Sequence, residues 1–231
     1  VCLAEWSGPA VPADAEEGRA DAQRQTDTGA RCGVLQVFCA DARFIAHVQQ
    51  GPQHQQREHG RLHRADRLIL PGVGSAAPAM QLLRERGLDT YIPKLTRPLL
   101  GICLGMQLLA AASTEVPKDS DTMAVATLGI VSGRVLRLKA EGLRLPHLGW
   151  NTVSHNGSAL FDGIRNGSYF YFDHSFALEL GPSSAGITSY GEEFTSVLVS
   201  GNFAGTQFHP EKSGAAGSRL LDNFLHRFNP L

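Results

Sequence analysis

The ten residues Pro98–Gln107, reading PLLGICLGMQ, constrain this chain more than any other stretch. An apolar run meets a glycine, one residue, a cysteine, one residue and a second glycine, then helix-forming residues through Ala112. That order predicts a strand turning abruptly into a helix, with Cys103 at the turn. Such a turn strains the backbone at the cysteine and leaves almost no room for a side chain two positions to either side, which accounts for Gly101 and Gly105. The thiol then stands at the end of a sheet, where the free N–H groups and dipole of a helix N-terminus favour the thiolate, its nucleophilic form. Two readings stay open for these residues alone: an activated nucleophile, or a structural cysteine buried between packing glycines.

The 231 residues suffice for one large α/β domain but not for two comfortable ones. A net charge of −1 offers no electrostatic footprint for nucleic acid or for an acidic membrane surface. The four cysteines, Cys2, Cys32, Cys39 and Cys103, form no C-x-x-C pair, and no stretch reads as a secretory signal or membrane span. The expectation is a cytoplasmic protein in a reducing compartment, with no cofactor and no metal.

Residues 1–30 are rich in Ala, Asp, Glu, Gln, Arg, Gly and Pro without an apolar period, and read as a disordered or foreign tail. A domain is expected over 31–231. Val34–Phe38 is its candidate first strand, followed by a helix over Asp41–Gln50. The segment from Gly51 to Arg64 holds His54, His59 and His63, but no Cys or acidic cluster accompanies them, so a solvated loop is expected rather than a metal site.

From Ala65 the character changes. Leu68–Leu70 is a short apolar strand running into Pro71-Gly72-Val73-Gly74-Ser75, a loop able to turn backbone N–H groups towards an anion, though alone it reads equally as a plain turn. A helix over Ala79–Arg86 stops at Gly87. Beyond Cys103, residues 113–122 are expected as a surface loop, and Leu128–Val131 and Arg134–Leu138 as strands. The cluster Leu145–Asn151 reads either as a strand end with a packed Trp150 or as a ligand contact. The aromatic strand Tyr169–Phe172 leads into Asp173-His174-Ser175-Phe176, Thr195–Val199 continues the β pattern, and an amphipathic helix over Ala215–Phe228 closes the chain.

Near the C-terminus, Gln207-Phe208-His209-Pro210-Glu211 puts a carboxylate two residues after a histidine, across a proline that fixes the backbone. This spacing lets Glu211 hold one imidazole nitrogen while the other faces outward. A nucleophile on an elbow, an oriented base and a glycine loop together make an acyl-transfer site. Cys103 would attack a carbonyl, His209 would carry the proton, and Leu104 N–H with one from the Gly72–Gly74 loop would hold the oxyanion.

The ordered motifs LPGVG, GICLGMQ, PHLGWN, YFDHSF and QFHPEKS resemble class I glutamine amidotransferases. Within that class they are similar to the glutaminase subunits of imidazole glycerol phosphate synthases, from about Ala65 to the C-terminus. The resemblance implies a three-layer, flavodoxin-like α/β domain around a mixed, mostly parallel sheet. It implies a Cys103–His209–Glu211 triad that hydrolyses glutamine through a thioester, and an oxyanion hole from Leu104, Val73 and Gly74. Substrate would be held by Gly72, Gln107, Ser175 and Phe176, and Lys212 would lie at a partner interface. The implied partner is a separate (β/α)8-barrel cyclase that receives the ammonia, forming a heterodimer that acts in histidine biosynthesis. Such glutaminases stay nearly silent until the partner binds its nucleotide. The same triad in an amidotransferase with another ammonia acceptor, or in an inactive scaffold, is the competing reading; PHLGWN argues against the former.

The chain departs from the family pattern at Asp173, usually Val, and at Phe176, often Tyr. Before Ala65 the family's Asp-Tyr-Gly-like turn is missing, so a misread frame or a fragment junction is expected within 1–64.

Overall fold

A computed structural model describes residues 65–116 and 122–229. The expected tail, the candidate strand 34–38, the helix 41–50 and the three histidines of 54–63 lie outside the described residues.

The centre of the fold is β2, Leu99–Cys103, buried at every position. It lies parallel to β1, Leu68–Gly72, on one side and parallel to β11, Phe203–Thr206, on the other. A strand covered on both faces reads as a continuous apolar run, and LLGIC does. Period two sends Leu68, Leu70, Leu99 and Phe203 to one core, and Leu100, Ile102 and Ala204 to the other. The first core is covered by α1, Ala76–Glu85, which contributes Ala76, Ala79, Met80 and Leu83 from one helical stripe. The second is covered by α4, Gly214–His226, through Leu220 and Phe224. Helix, sheet and helix form the three expected layers. A four-residue helix, α2, Leu88–Tyr91, follows Gly87, whose φ of 65° suits a glycine.

Beyond β11 the sheet continues through β10, Glu192–Ser200, β8, Phe176–Leu178, β5, Arg134–Arg137, β3, Ala112–Ser113, and β4, Val125–Ala126. From β10 it also curls away through β9, Ser184–Tyr190, to β6, His147–His155, and β7, Ser168–His174. The sheet is mixed: parallel pairing is concentrated in β1–β2–β11 beneath Cys103 and recurs at β3–β5, while the curled part is antiparallel.

Two local expectations are overturned, for one shared reason. The helix after Cys103, α3, spans only Leu104–Gln107, and Leu128–Val131 is not a strand. The N–H groups of Leu128, Gly129, Ile130 and Val131 instead bond the carbonyls of Leu108, Ala110 and Leu109. Those acceptors would otherwise serve a longer helix, so the returning segment ends α3 and gives up its own ladder. Ser113, expected in a surface loop, is fully buried in β3.

Candidate active site

Cys103 has φ 52° and ψ −111°, and is the one non-glycine residue with positive φ among the described residues. Strain of this kind persists only where surroundings enforce it. Here they do: a Cβ on Gly105 would lie 1.7 Å from the Leu70 carbonyl oxygen, and one on Gly101 2.6 Å from Gly105 O and Met106 N. The expectation of crowding on both sides of the cysteine is met by backbone atoms, which cannot step aside.

His209 follows β11 and is fixed by its backbone. Its N–H donates to Tyr171 O at 2.9 Å, and its carbonyl accepts the Ser213 hydroxyl at 2.6 Å. The same hydroxyl accepts Tyr171 N–H at 3.0 Å, so the fully buried Ser213 staples the loop to β7. A 3₁₀ turn over Pro210–Lys212 then brings the Glu211 carboxylate back to His209 Nδ1, at 2.8 Å. Nε2 is left for the sulfur of Cys103. Burial works against a charge on His209, but the hydrogen bonds to Cys103 and Glu211 and the charges of both prevail and push its pKa up to about 9. Burial likewise works against the Glu211 carboxylate, and His209 and Lys212 outweigh it, holding the carboxyl below its usual range. Cys103 and the Glu211 carboxylate therefore both favour the imidazolium form of His209.

The triad opens into a pocket of about 300 Å³. Val73, Gly74, Leu104, Gln107, Ser175, Phe176 and Lys212, all singled out in the sequence, line it together with Cys103 and His209. Gly72 is not among the lining residues: it sits in β1 beneath α3, where a Cβ would meet Leu104 Cβ at 2.9 Å. Glu115, Pro146, Asp173 and His174 also line the pocket. Pro146 belongs to the Leu145–Asn151 cluster, one reading of which is a ligand contact, and Asp173 is a departure from the family pattern, while the sequence assigns no role there to Glu115 or His174. Glu115 was assigned to a surface loop; its carboxylate accepts the Ala76 N–H at the start of α1, and burial raises its pKa. The signal that could have found it is an acidic residue placed beside the unpartnered first turn of α1, and it is visible only once the turn after α3 is known.

His147 and His174 were missed as a pair. Phe176 O can only accept, so His174 Nδ1 at 2.9 Å carries the proton and its Nε2 must accept from His147 Nδ1 at 3.0 Å. His147 Nε2 is then free to accept from Asn151 Nδ2, at 3.2 Å. Every bond is satisfied with both rings neutral. Burial lowers His147 to about 4, and burial with the charges of His147 and His209 lowers His174 to about 3 against an opposing bond to Phe176 O. The Leu145–Asn151 cluster shows both features: Trp150 lies edge-on to Tyr171, His147 is stacked on Phe172 and Tyr190, and Pro146 reaches the pocket.

The class I glutamine amidotransferase family profile matches residues 42–228, beginning upstream of Ala65. The chain is 43% identical over 196 residues to imidazole glycerol phosphate synthase subunit HisH of Yersinia pseudotuberculosis, covering 83% of this chain and 97% of that one. It is 50% identical over 162 residues to subunit HisH 1 of Vibrio vulnificus, covering 70% and 79%. It is 51% identical over 163 residues to subunit HisH of Salmonella typhimurium, covering 70% and 80%. Among solved structures it resembles a glutamine amidotransferase with a TM-score of 0.53 at 20% identity, over 76% of this chain and 93% of the other. A glutamine amidotransferase from Thermotoga maritima superposes with a TM-score of 0.50 at 21% identity, over 71% and 64%. With a match running through most of its length, the chain belongs to the class I glutamine amidotransferases.

Proposed function

We infer that this chain is the glutaminase subunit of an imidazole glycerol phosphate synthase, with Cys103, His209 and Glu211 as its catalytic triad. The observation that carries the site reading is a strained, crowded Cys103 beside an imidazole that Glu211 orients at 2.8 Å, both opening on one pocket. The identity to subunits of that name, 43–51%, supports the choice of synthase over other amidotransferases.

Cys103 Sγ adds to the carboxamide carbon of glutamine, and charge collects on the amide oxygen. Leu104 N–H, with an N–H from Val73 or Gly74, is the proposed donor set for that oxyanion; one such donor is typically worth about 3–4 kcal/mol in the transition state. His209 passes its proton to the departing nitrogen, ammonia leaves, and a γ-glutamyl thioester remains. His209 then takes a proton from water as the water attacks, the thiolate is expelled, and glutamate is formed. Gln107, Ser175, Phe176 and Gly72 are the proposed glutamine contacts. Glu115 adds a carboxylate suited to an α-ammonium group.

The ammonia acceptor is a separate (β/α)8-barrel cyclase subunit, docked as a heterodimer at the rim that carries Lys212, in the cytoplasm. No helix among the described residues is long and apolar enough to cross a membrane. The test is glutamate release from glutamine by the purified chain, alone and with a barrel cyclase and its nucleotide ligand. Activity that needs the liganded partner and vanishes in Cys103→Ala is expected. Equal activity in Cys103→Ala would exclude the mechanism, and activity indifferent to the cyclase would exclude the synthase.

A further inference from the structure

We propose that Gln207 is a further catalytic residue, a fixed amide donor that holds negative charge on Cys103 Sγ. The inference rests on the reading of Cys103 as the nucleophile. Gln207 is fully buried, with Nε2 3.7 Å from Sγ, a reach normal for a hydrogen bond to sulfur, and Oε1 3.0 Å from Gln107 Nε2.

An amide can be turned end for end, so its direction must be set by its partners. The Phe176 carbonyl does. It can only accept, and at 2.8 Å it faces Gln107, so the nitrogen end of Gln107 must point there. That same nitrogen meets Gln207, whose oxygen end must therefore face Gln107. The nitrogen end of Gln207 is left against the sulfur. His174 Nδ1–H donates to the same carbonyl, and the neutral chain through His147 to Asn151 holds that ring in place. The junction is thus pinned from both sides, and no rotation of a single group turns the Gln207 oxygen towards Sγ.

A donor at sulfur acts twice in thioester chemistry. It favours the resting thiolate, and it stabilises the charge returning to sulfur when water has attacked the thioester and the C–S bond breaks. Hydrogen bonds to charged groups are stronger than those to neutral ones, so the interaction is greater with thiolate than with thioester sulfur. The titratable groups sharing the pocket with Sγ are His209, His174, Glu115, Asp173 and Lys212. His209 is the charged partner of the sulfur, Gln207 is a neutral donor to it that does not titrate, and the Asp173 carbonyl oxygen, 3.9 Å from Sγ, is an acceptor for the thiol proton.

The test is alkylation of the full chain by iodoacetamide, with the modified peptide identified by mass spectrometry and folding checked by thermal melts. Cys103 of the unsubstituted chain should react faster at pH 7 than it does in urea. Gln207→Met should react about tenfold more slowly at pH 7. That deficit should close by pH 10, where a thiolate forms without help. Gln107→Leu frees the Gln207 amide to rotate and should show a smaller loss, and the double variant should be no slower than Gln207→Met. Equal labelling of Gln207→Met, or a deficit that persists at pH 10, would overturn the proposal. If Gln207→Met fails to fold, Gln107→Leu decides: an unchanged rate overturns the proposal. Cys103 reacting no faster than in urea in the unsubstituted chain would instead remove the nucleophile reading beneath it.

Discussion

Cys103 and the Val73–Ser75 loop face the same pocket, yet they are held in opposite ways. On both sides of Cys103 the space is filled by backbone, so Gly101 and Gly105 cannot carry even a methyl group. Across the pocket, a Cβ on Gly74 would meet nothing within 4 Å, Val73 is 52% exposed, and Ser75 makes no capping bond from its side chain. Gly74 is constrained only by its φ of 92°, in the region that disfavours a side chain. The nucleophile is therefore set by packing, and the proposed oxyanion side by conformational preference alone. A docked partner could reorient such a loop without disturbing the cysteine, as the proposed dependence on a cyclase requires.

The contrast makes graded predictions. Gly105→Ala drives a methyl group into the Leu70 carbonyl and should destabilise the chain by at least about 4 kcal/mol, or prevent folding, in a denaturant titration. Glu211→Gln should leave the fold intact and reduce partner-stimulated glutamate release by about 100-fold, because the imidazole loses the anion that orients and charges it. Gly74→Ala should lose only about 1–2 kcal/mol of stability, from backbone strain, while still lowering turnover. A wild-type rate with Gly74→Ala would remove the loop from the chemistry. A Gly105→Ala chain as stable as wild type would remove the packing argument.

The histidines give a pH dependence with two signs. His147 and His174 titrate at about 4 and about 3 when folded, below their unfolded value, so the unfolded chain takes up protons first as the pH falls. Their contribution is complete above about pH 6.5 and is lost towards acid; between pH 6.5 and 5 the pair should remove about 3 kcal/mol. His209, raised to about 9, acts in the other direction: its contribution is complete below about pH 6.5 and fades as pH rises through 9. Thermal melts from pH 4 to 10 should therefore show highest stability near neutrality. Cys103→Ala should flatten the alkaline limb, since Cys103 is one of the two partners that raise His209.

The elbow and the His209–Glu211 pair were legible because local sequence determines them: glycine spacing dictates the turn, and a proline sets the return of Glu211. The parallel strands β1 and β2 beneath them announced themselves as apolar runs. What was not legible depends on partners distant in the chain. Leu128–Val131 looks like a strand and spends its N–H groups on Leu108–Ala110, and both elements were misjudged because neither shows its partner. β9 was missed because Ser184, Gly186 and Ser189 dilute its pattern; its place is fixed by pairing with β6 and β10. Gln207 stood inside a recognised motif with no role, since only the fold brings Gln107 and the Phe176 carbonyl to it.

The mechanism stands on Cys103 being the nucleophile, and a glutamine-analogue electrophile tests that with mass spectrometry of the intact and digested chain. The account predicts one adduct per chain, on Cys103 alone among the four cysteines, forming faster with the liganded cyclase present and more slowly in Glu211→Gln. An adduct on Cys2, Cys32 or Cys39 in place of Cys103, or no selective adduct at all, would contradict it.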